Sequence, residues 1–133
     1  MDDYNRGGHA KYSLTVHMIF VTKYRKHLFF GKANEDVKQF LHDAANAMGI
    51  RIIAMETDKD HVHILLRYKP DMSISYIASQ LKQRSTYSMW LYQTELLKRN
   101  YWKRQILWSD GYFACSIGQV SQKTIEHYIQ NQG

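Results

Sequence analysis

The sequence predicts an α+β fold: a ferredoxin-like, RRM-like βαββαβ antiparallel sheet with helices on one face, followed by a C-terminal helix. Three observations carry that prediction. Apolar residues alternate with period two over Tyr12 to Thr22, and two further strand-like segments joined by a short polar turn lie between residues 50 and 68. Two stretches with helical spacing follow the first and third of these strands. Read in order, the segments give β-α-β-β-α-β and then one more helix. At 133 residues the chain, 1–133, is expected to be a single domain large enough to bury a core.

Residues 1–10 are polar, include Gly7-Gly8, and are expected to be flexible. Tyr12 to Thr22 reads as the first strand, with Tyr12, Leu14, Val16, Met18 and Phe20 toward a core. The opposite set, Ser13, Thr15, His17, Ile19 and Val21, turns apolar late, so the strand's end is expected to be covered on both faces. Lys23 to Lys32 reads as a basic loop. Asn34 is the expected N-cap of a helix carrying Val37, Phe40, Leu41, Ala44 and Met48, and Gly49 is its stop. Ile50–Glu56 and His61–Tyr68 should form a hairpin around a polar turn at 57–60. Ser73 is a candidate cap for a helix running toward Tyr92, with Ile74, Ile77, Ala78 and Leu81 on one face. Lys98 to Gln105 reads as a basic connection, and Ile106–Trp108 and Tyr112–Ile117 as short strand pieces. Ser121 can cap a last helix over 121–132.

Charge and composition narrow the function. The formal charge of +6 and a pI near 9.4 favour a polyanionic partner. The lone cysteine, Cys115, excludes an intrachain disulfide and reads as a small buried strand residue. With no N-terminal apolar segment and no membrane-length apolar run, a soluble, cytoplasmic protein without a membrane partner is expected. No phosphate-cradling glycine loop is present, so no nucleotide cofactor is expected. Paired cysteines for zinc and a serine nucleophile elbow are also missing.

The most informative run is Asp58-Lys59-Asp60-His61-Val62-His63-Ile64-Leu65-Leu66. Side chains at i and i+2 of a strand share a face, so His61 and His63 can present two imidazoles to one divalent cation. Asp58 and Asp60 could orient an imidazole through its second nitrogen. The same pattern also describes two ordinary polar residues on a half-exposed strand. On the last helix, Tyr128 and Gln132 lie four residues apart and share a face. The Gln132 carbonyl could complete the shell of Mg²⁺ or Mn²⁺. A metal pair with a presentable tyrosine suggests phosphoryl transfer to a tyrosine nucleophile, with DNA as substrate. Tyr128 also fits a plain packing position, and the chain has ten tyrosines.

Basic residues interleave with aromatics twice. Lys23, Tyr24, Arg25 and Lys26 lead into Phe29 and Phe30, and Lys98, Arg99, Lys103 and Arg104 surround Tyr101 and Trp102. Cations contact phosphates and rings stack on unpaired bases, so both runs are candidate DNA-binding surfaces, extended by Lys82 and Arg84. A solvated charged surface with aromatics at the core's edge is the other reading.

Together these motifs resemble the single-tyrosine (Y1) HUH transposases of the IS200/IS605 family. The likeness lies in Thr22-Lys23-Tyr24-Arg25, in Thr57 through Leu65, in Leu107 through Phe113 with Ser116-Ile117-Gly118, and in Ile125 through Gln132, all in family order. The resemblance implies His61, His63 and Gln132 as metal ligands and Tyr128 as nucleophile. It implies cleavage and rejoining of single-stranded DNA at insertion-sequence ends through a 5′-phosphotyrosine, with subterminal hairpins recognised. It also implies a homodimer whose sheets join, with a hinge at Gly118–Ser121 and the histidine pair of one subunit serving the tyrosine helix of the other. The sequence ends one residue after Gln132, so the last turn is expected to fray. A non-catalytic nucleic-acid or RNA-binding module, and a domesticated palindrome-associated tyrosine transposase, are the alternatives.

Overall fold

A computed structural model describes residues 14–116 and 127–131. Four strands form one sheet: β1 (Leu14–Val21), β2 (Arg51–Asp58), β3 (His61–Tyr68) and β4 (Phe113–Ser116). Their spatial order is β2-β3-β1-β4, and every neighbouring pair is antiparallel. Helices α1 (Gly31–Ala47) and α2 (Ile74–Tyr92) connect the strands, and a short α3 (Thr94–Asn100) follows α2. This is the predicted βαββαβ order, in the arrangement in which each crossover helix lies on the same face.

Alternation fixes which face is which. Val16, Met18 and Phe20 of β1 and Val62, Ile64 and Leu66 of β3 are buried against α1 and α2. The helices supply Val37, Leu41 and Ala44 from one side and Ile77, Leu81 and Met89 from the other, each at turn-length spacing. The opposite face of β1 carries Ile19 and Val21, also fully buried, under Ile129 of the terminal helical turn at 127–130. The expected covering of the strand's end on both faces is therefore observed.

Several boundaries differ from the sequence reading. Helix α1 begins at Gly31 with Phe30 as its cap, three residues before Asn34. The Asn34 side chain instead accepts a hydrogen bond from the Thr57 hydroxyl, tying α1 to the end of β2. Strand β2 runs on to Asp58, so the turn shrinks to Lys59-Asp60 because Asp58 pairs directly with His61. Ile106–Trp108 is no strand. Trp108 makes one isolated bridge to Thr22, and its indole N–H donates to the Ser85 hydroxyl in the core. Part of the expected basic connection is α3, which ends at Asn100. The Ser73 hydroxyl caps α2 as expected, accepting from the Tyr76 N–H at 3.1 Å. Gly49 ends α1 with φ +73°, where a side chain would be strained. Residues 1–13, the expected hinge at Gly118–Ser121, the start of the last helix and Gln132 lie outside the described residues.

Candidate metal and nucleophile site

The site lies on the sheet face away from α1 and α2. Register alone brings its parts together: His61 pairs with Val21 and with Asp58, and His63 pairs with Ile19 and with Glu56. Directly paired residues share a face, so the two histidines, two carboxylates and two buried aliphatics converge there. The imidazoles meet edge to face with centroids 5.0 Å apart. Beside them is a cavity of about 410 Å³ lined by both histidines, Glu56, Asp58, Arg25 and residues of the terminal turn.

Each imidazole is held through its Nδ1. The Asp60 carboxylate lies 2.8 Å from His61 Nδ1 and is itself 1% exposed. Burial pushes the Asp60 carboxyl upward, but hydrogen bonds from His61 and Arg25 outweigh that and hold it below the usual range. An ionised carboxylate only accepts, so of the two neutral tautomers of His61 this contact selects the one with its proton on Nδ1, which leaves Nε2 as the nitrogen that can ligate. His63 Nδ1 has a different partner: His17 Nε2 of β1, at 3.2 Å, with the two rings stacked at 5.3 Å. Burial, together with the neighbouring His61 and His17, lowers the His63 pKa to about 4, and burial lowers that of His17. Both rings are therefore neutral near pH 7, the form that ligates metal.

The Asp60 clamp explains the basic turn after β1. Arg25 Nε donates to Asp60 Oδ2 at 3.1 Å. To get there the chain puts Tyr24 at φ +59° and Arg25 at φ +51°, a left-handed pair without glycine. Such dihedrals cost on the order of 1–3 kcal/mol each and persist only where the surroundings over-determine them. Here the Thr22 N–H donates to Asp60 O, the Leu28 and Phe29 N–H groups to Lys59 O, and the Tyr101 hydroxyl to Lys23 O. The hairpin tip and the basic turn are thus locked together, with the carboxylate between Arg25 and His61.

Tyr128 stands on the terminal turn, packed on Phe113 of β4 with centroids 5.2 Å apart. Its hydroxyl is buried with no hydrogen-bond partner among the described residues. Burial raises its pKa to about 12, so the group is a neutral phenol at pH 7. An unsatisfied buried hydroxyl costs roughly 1–3 kcal/mol and calls for a reason, of which a catalytic role is one. Its neighbours Ile129 and Gln130 line the histidine cavity, whereas Tyr128 is not among its walls. No group of three or more His, Cys, Asp or Glu is poised to hold a metal among the described residues. The two imidazoles fit a divalent ion as a partial shell, with further ligands to come from elsewhere. Gln132, the expected third ligand, lies outside the described residues.

Comparison with known proteins places the chain in a family. A profile of IS200-like transposases matches residues 10–132. This chain belongs to that family. Among its relatives, the transposase for insertion sequence element IS200 of Salmonella typhimurium is 33% identical over 133 residues, covering 99% of this chain and 85% of that one. The ISDra2 transposase TnpA of Deinococcus radiodurans is 31% identical over 121 residues, covering 91% of this chain and 85% of that one. A crystal structure of a candidate transposase from Deinococcus radiodurans R1 superposes with TM-score 0.86 at 29% identity, covering 98% and 97% of the two chains. A REP-associated tyrosine transposase bound to a REP hairpin shares the fold, with TM-score 0.57 at 14% identity over 97% of this chain and 68% of that one. The IS200-like transposases are DNA-cleaving, strand-transferring enzymes, and the antiparallel sheet with helices on one face is their fold.

The basic residues of this transposase divide into two kinds. Lys82 donates to the carbonyls of Ser109 and Gly111 at 2.9 and 2.8 Å, stapling α2 to the loop before β4. Burial lowers its pKa. Arg25 is committed to Asp60, and Lys23 lies 3.7 Å from Asp110 and over the Tyr24 ring. Arg84, Lys98, Arg99, Lys103 and Arg104 are exposed, with Arg84 Nε donating to Gln80 on its own helix, while Lys26 is half-buried. Tyr24 and Trp102, 60% and 73% exposed, flank a groove with Lys103 and Arg104. The sequence reading missed His17, Glu56 and the structural use of Lys82 and Arg25. Period-two alternation already put His17 on the less apolar face of β1; what it lacked was the strand register.

No helix of the described residues is long and apolar enough to cross a membrane.

Proposed function

We propose that this chain cleaves and rejoins single-stranded DNA at insertion-sequence ends through a covalent 5′-phosphotyrosine on Tyr128. One observation carries the reading: the sheet face that presents two Nδ1-anchored histidines is the face covered by the turn bearing Tyr128, whose buried hydroxyl has no partner among the described residues. Membership of the transposase family supports it. A bound Mg²⁺ or Mn²⁺ would polarise the scissile phosphate and stabilise the phenolate.

His61 and His63 would hold that ion through Nε2, and Gln132 would add a carbonyl oxygen. Tyr128 Oη attacks phosphorus. The new O–P bond replaces the P–O3′ bond, the phenol proton passes to solvent, and the departing 3′ oxygen takes up a proton. In the second step the 3′-OH of another strand attacks the phosphotyrosine and regenerates the phenol. Bond energy is kept in the ester throughout, so the reaction needs no nucleotide cofactor. Moving Tyr128 from its contact with Phe113 into line with the phosphate requires the terminal helix to shift. Delivery to the histidine pair of a second subunit in a homodimer satisfies that need. The exposed Arg84, Lys98, Arg99, Lys103 and Arg104, with Tyr24 and Trp102, would bind the subterminal hairpin and its unpaired bases.

The test is incubation with 3′-labelled single-stranded DNA from the ends flanking the gene, in Mg²⁺ or Mn²⁺. The expected result is a labelled protein adduct in the wild type and none with Tyr128→Phe. Tight hairpin binding without an adduct under either metal would instead favour a non-catalytic binding module.

A further inference from the structure

We propose that His17 is a positioning residue for the metal site: it accepts the Nδ1 proton of His63 and so holds the His63 Nε2 lone pair toward the cation. The inference rests on the metal reading above and extends it to a third histidine. The geometry is specific. His17 lies on β1, one position diagonal to His63 across the β1–β3 pair, since His17 faces Leu65 and Ile19 faces His63. Its Nε2 stands 3.2 Å from His63 Nδ1, and the rings stack at 26°.

Two neutral imidazoles joined nitrogen to nitrogen share a single proton in that contact, so two arrangements exist. If His17 Nε2 carries it, His63 accepts at Nδ1 and bears its own proton on Nε2, which blocks that nitrogen as a ligand. If His63 Nδ1 carries it, His17 accepts and His63 Nε2 is bare. Only the second lets both histidines of the pair ligate through Nε2, as Asp60 already enforces for His61. His17 then bears its remaining proton on Nδ1. The stacked contact also fixes the ring plane of His63, which a lone strand side chain would leave free to rotate about χ2. His61 thus has a carboxylate orienter and His63 a neutral one, so the two ligands differ in basicity by construction.

Two measurements on the full chain test this. Long-range ¹H–¹⁵N NMR of the metal-free protein reads the tautomers directly, and His63 is expected to be protonated on Nδ1. Mn²⁺ binding, followed by EPR without DNA, is expected to weaken about 10- to 100-fold in His17→Phe. His17→Gln places an amide oxygen where Nε2 was, so it should stay within a few-fold of wild type. The thermal midpoint of each variant reports whether it is folded, and the glutamine variant keeps the test open if phenylalanine disrupts the sheet. A His63 proton on Nε2, or wild-type Mn²⁺ affinity in a folded His17→Phe, overturns the role of His17 and leaves the metal reading standing. A wild-type protein that takes up no Mn²⁺ overturns both.

Discussion

The two faces of the sheet are built for different purposes. The face under α1 and α2 is a continuous apolar core of aliphatic and aromatic side chains from α1, α2 and α3 and from β1 and β3. The other, among the described residues, holds a separate buried cluster of Ile19, Val21 and Ile129, with Phe113 and Tyr128 at its side and histidines and carboxylates beyond. The first surrounds its side chains with fixed neighbours. The second, among the described residues, is covered by one helical turn and carries a hydroxyl without a partner. A nucleophile that must travel to a phosphate requires a roof that can leave without unfolding the domain.

Substitutions can break this contrast. The largest expected effect is on chemistry: Tyr128→Phe should abolish adduct formation while hairpin binding persists. The same variant should not lose stability, because it removes a buried group that has no partner among the described residues. A lowered thermal midpoint would mean the hydroxyl is partnered in solution. Next, His61→Ala and His63→Ala should each remove metal-dependent cleavage and leave the midpoint within a few degrees, and EDTA should do the same to the wild type. Cleavage that survives EDTA would take the metal out of the mechanism.

Stability effects come third and separate the faces. Leu41→Ala, at a fully buried core position, should cost about 2–5 kcal/mol in denaturant unfolding. Ile129→Ala should cost less, and its main signature should be faster amide exchange at 127–131 with the strands still protected. Equal global losses from both would show that the terminal turn folds as part of the core.

The smallest effect is a pH dependence. His63 has a folded pKa near 4, against 6.5 for an unperturbed histidine. Between those values the unfolded chain binds more protons than the folded one, so stability falls as pH drops from about 6.5 toward 4. Thermal midpoints measured in EDTA across that window should show a shallower slope for His63→Phe than for wild type. An unchanged slope would place the acid sensitivity elsewhere.

Much of this was legible before any coordinates. Alternation in β1 told which of its residues face the core, and strand geometry told that His61 and His63 share a face opposite to Val62. Ser73 and Gly49 marked helix ends by chemistry local to the chain. Asn34 misled because a good capping residue has other uses for its amide, here a bond to Thr57 that is 23 residues away in sequence. Ile106–Trp108 misled because an apolar run serves equally as a strand or as the lining of a core, and these residues point their polar groups into α2 and β1.

By itself the sequence determined the fold class, the sharing of one strand face by the two histidines and the chemistry those residue types can support. All of these follow from periodicities and caps that act within a few residues. Tertiary structure alone decided the partners: His17 against His63, Arg25 and Asp60 behind His61, Lys82 turned onto two carbonyls, and Tyr128 against Phe113. Periodicity fixes the side of a strand, but the residue met across the sheet depends on register, which pairing between distant segments sets.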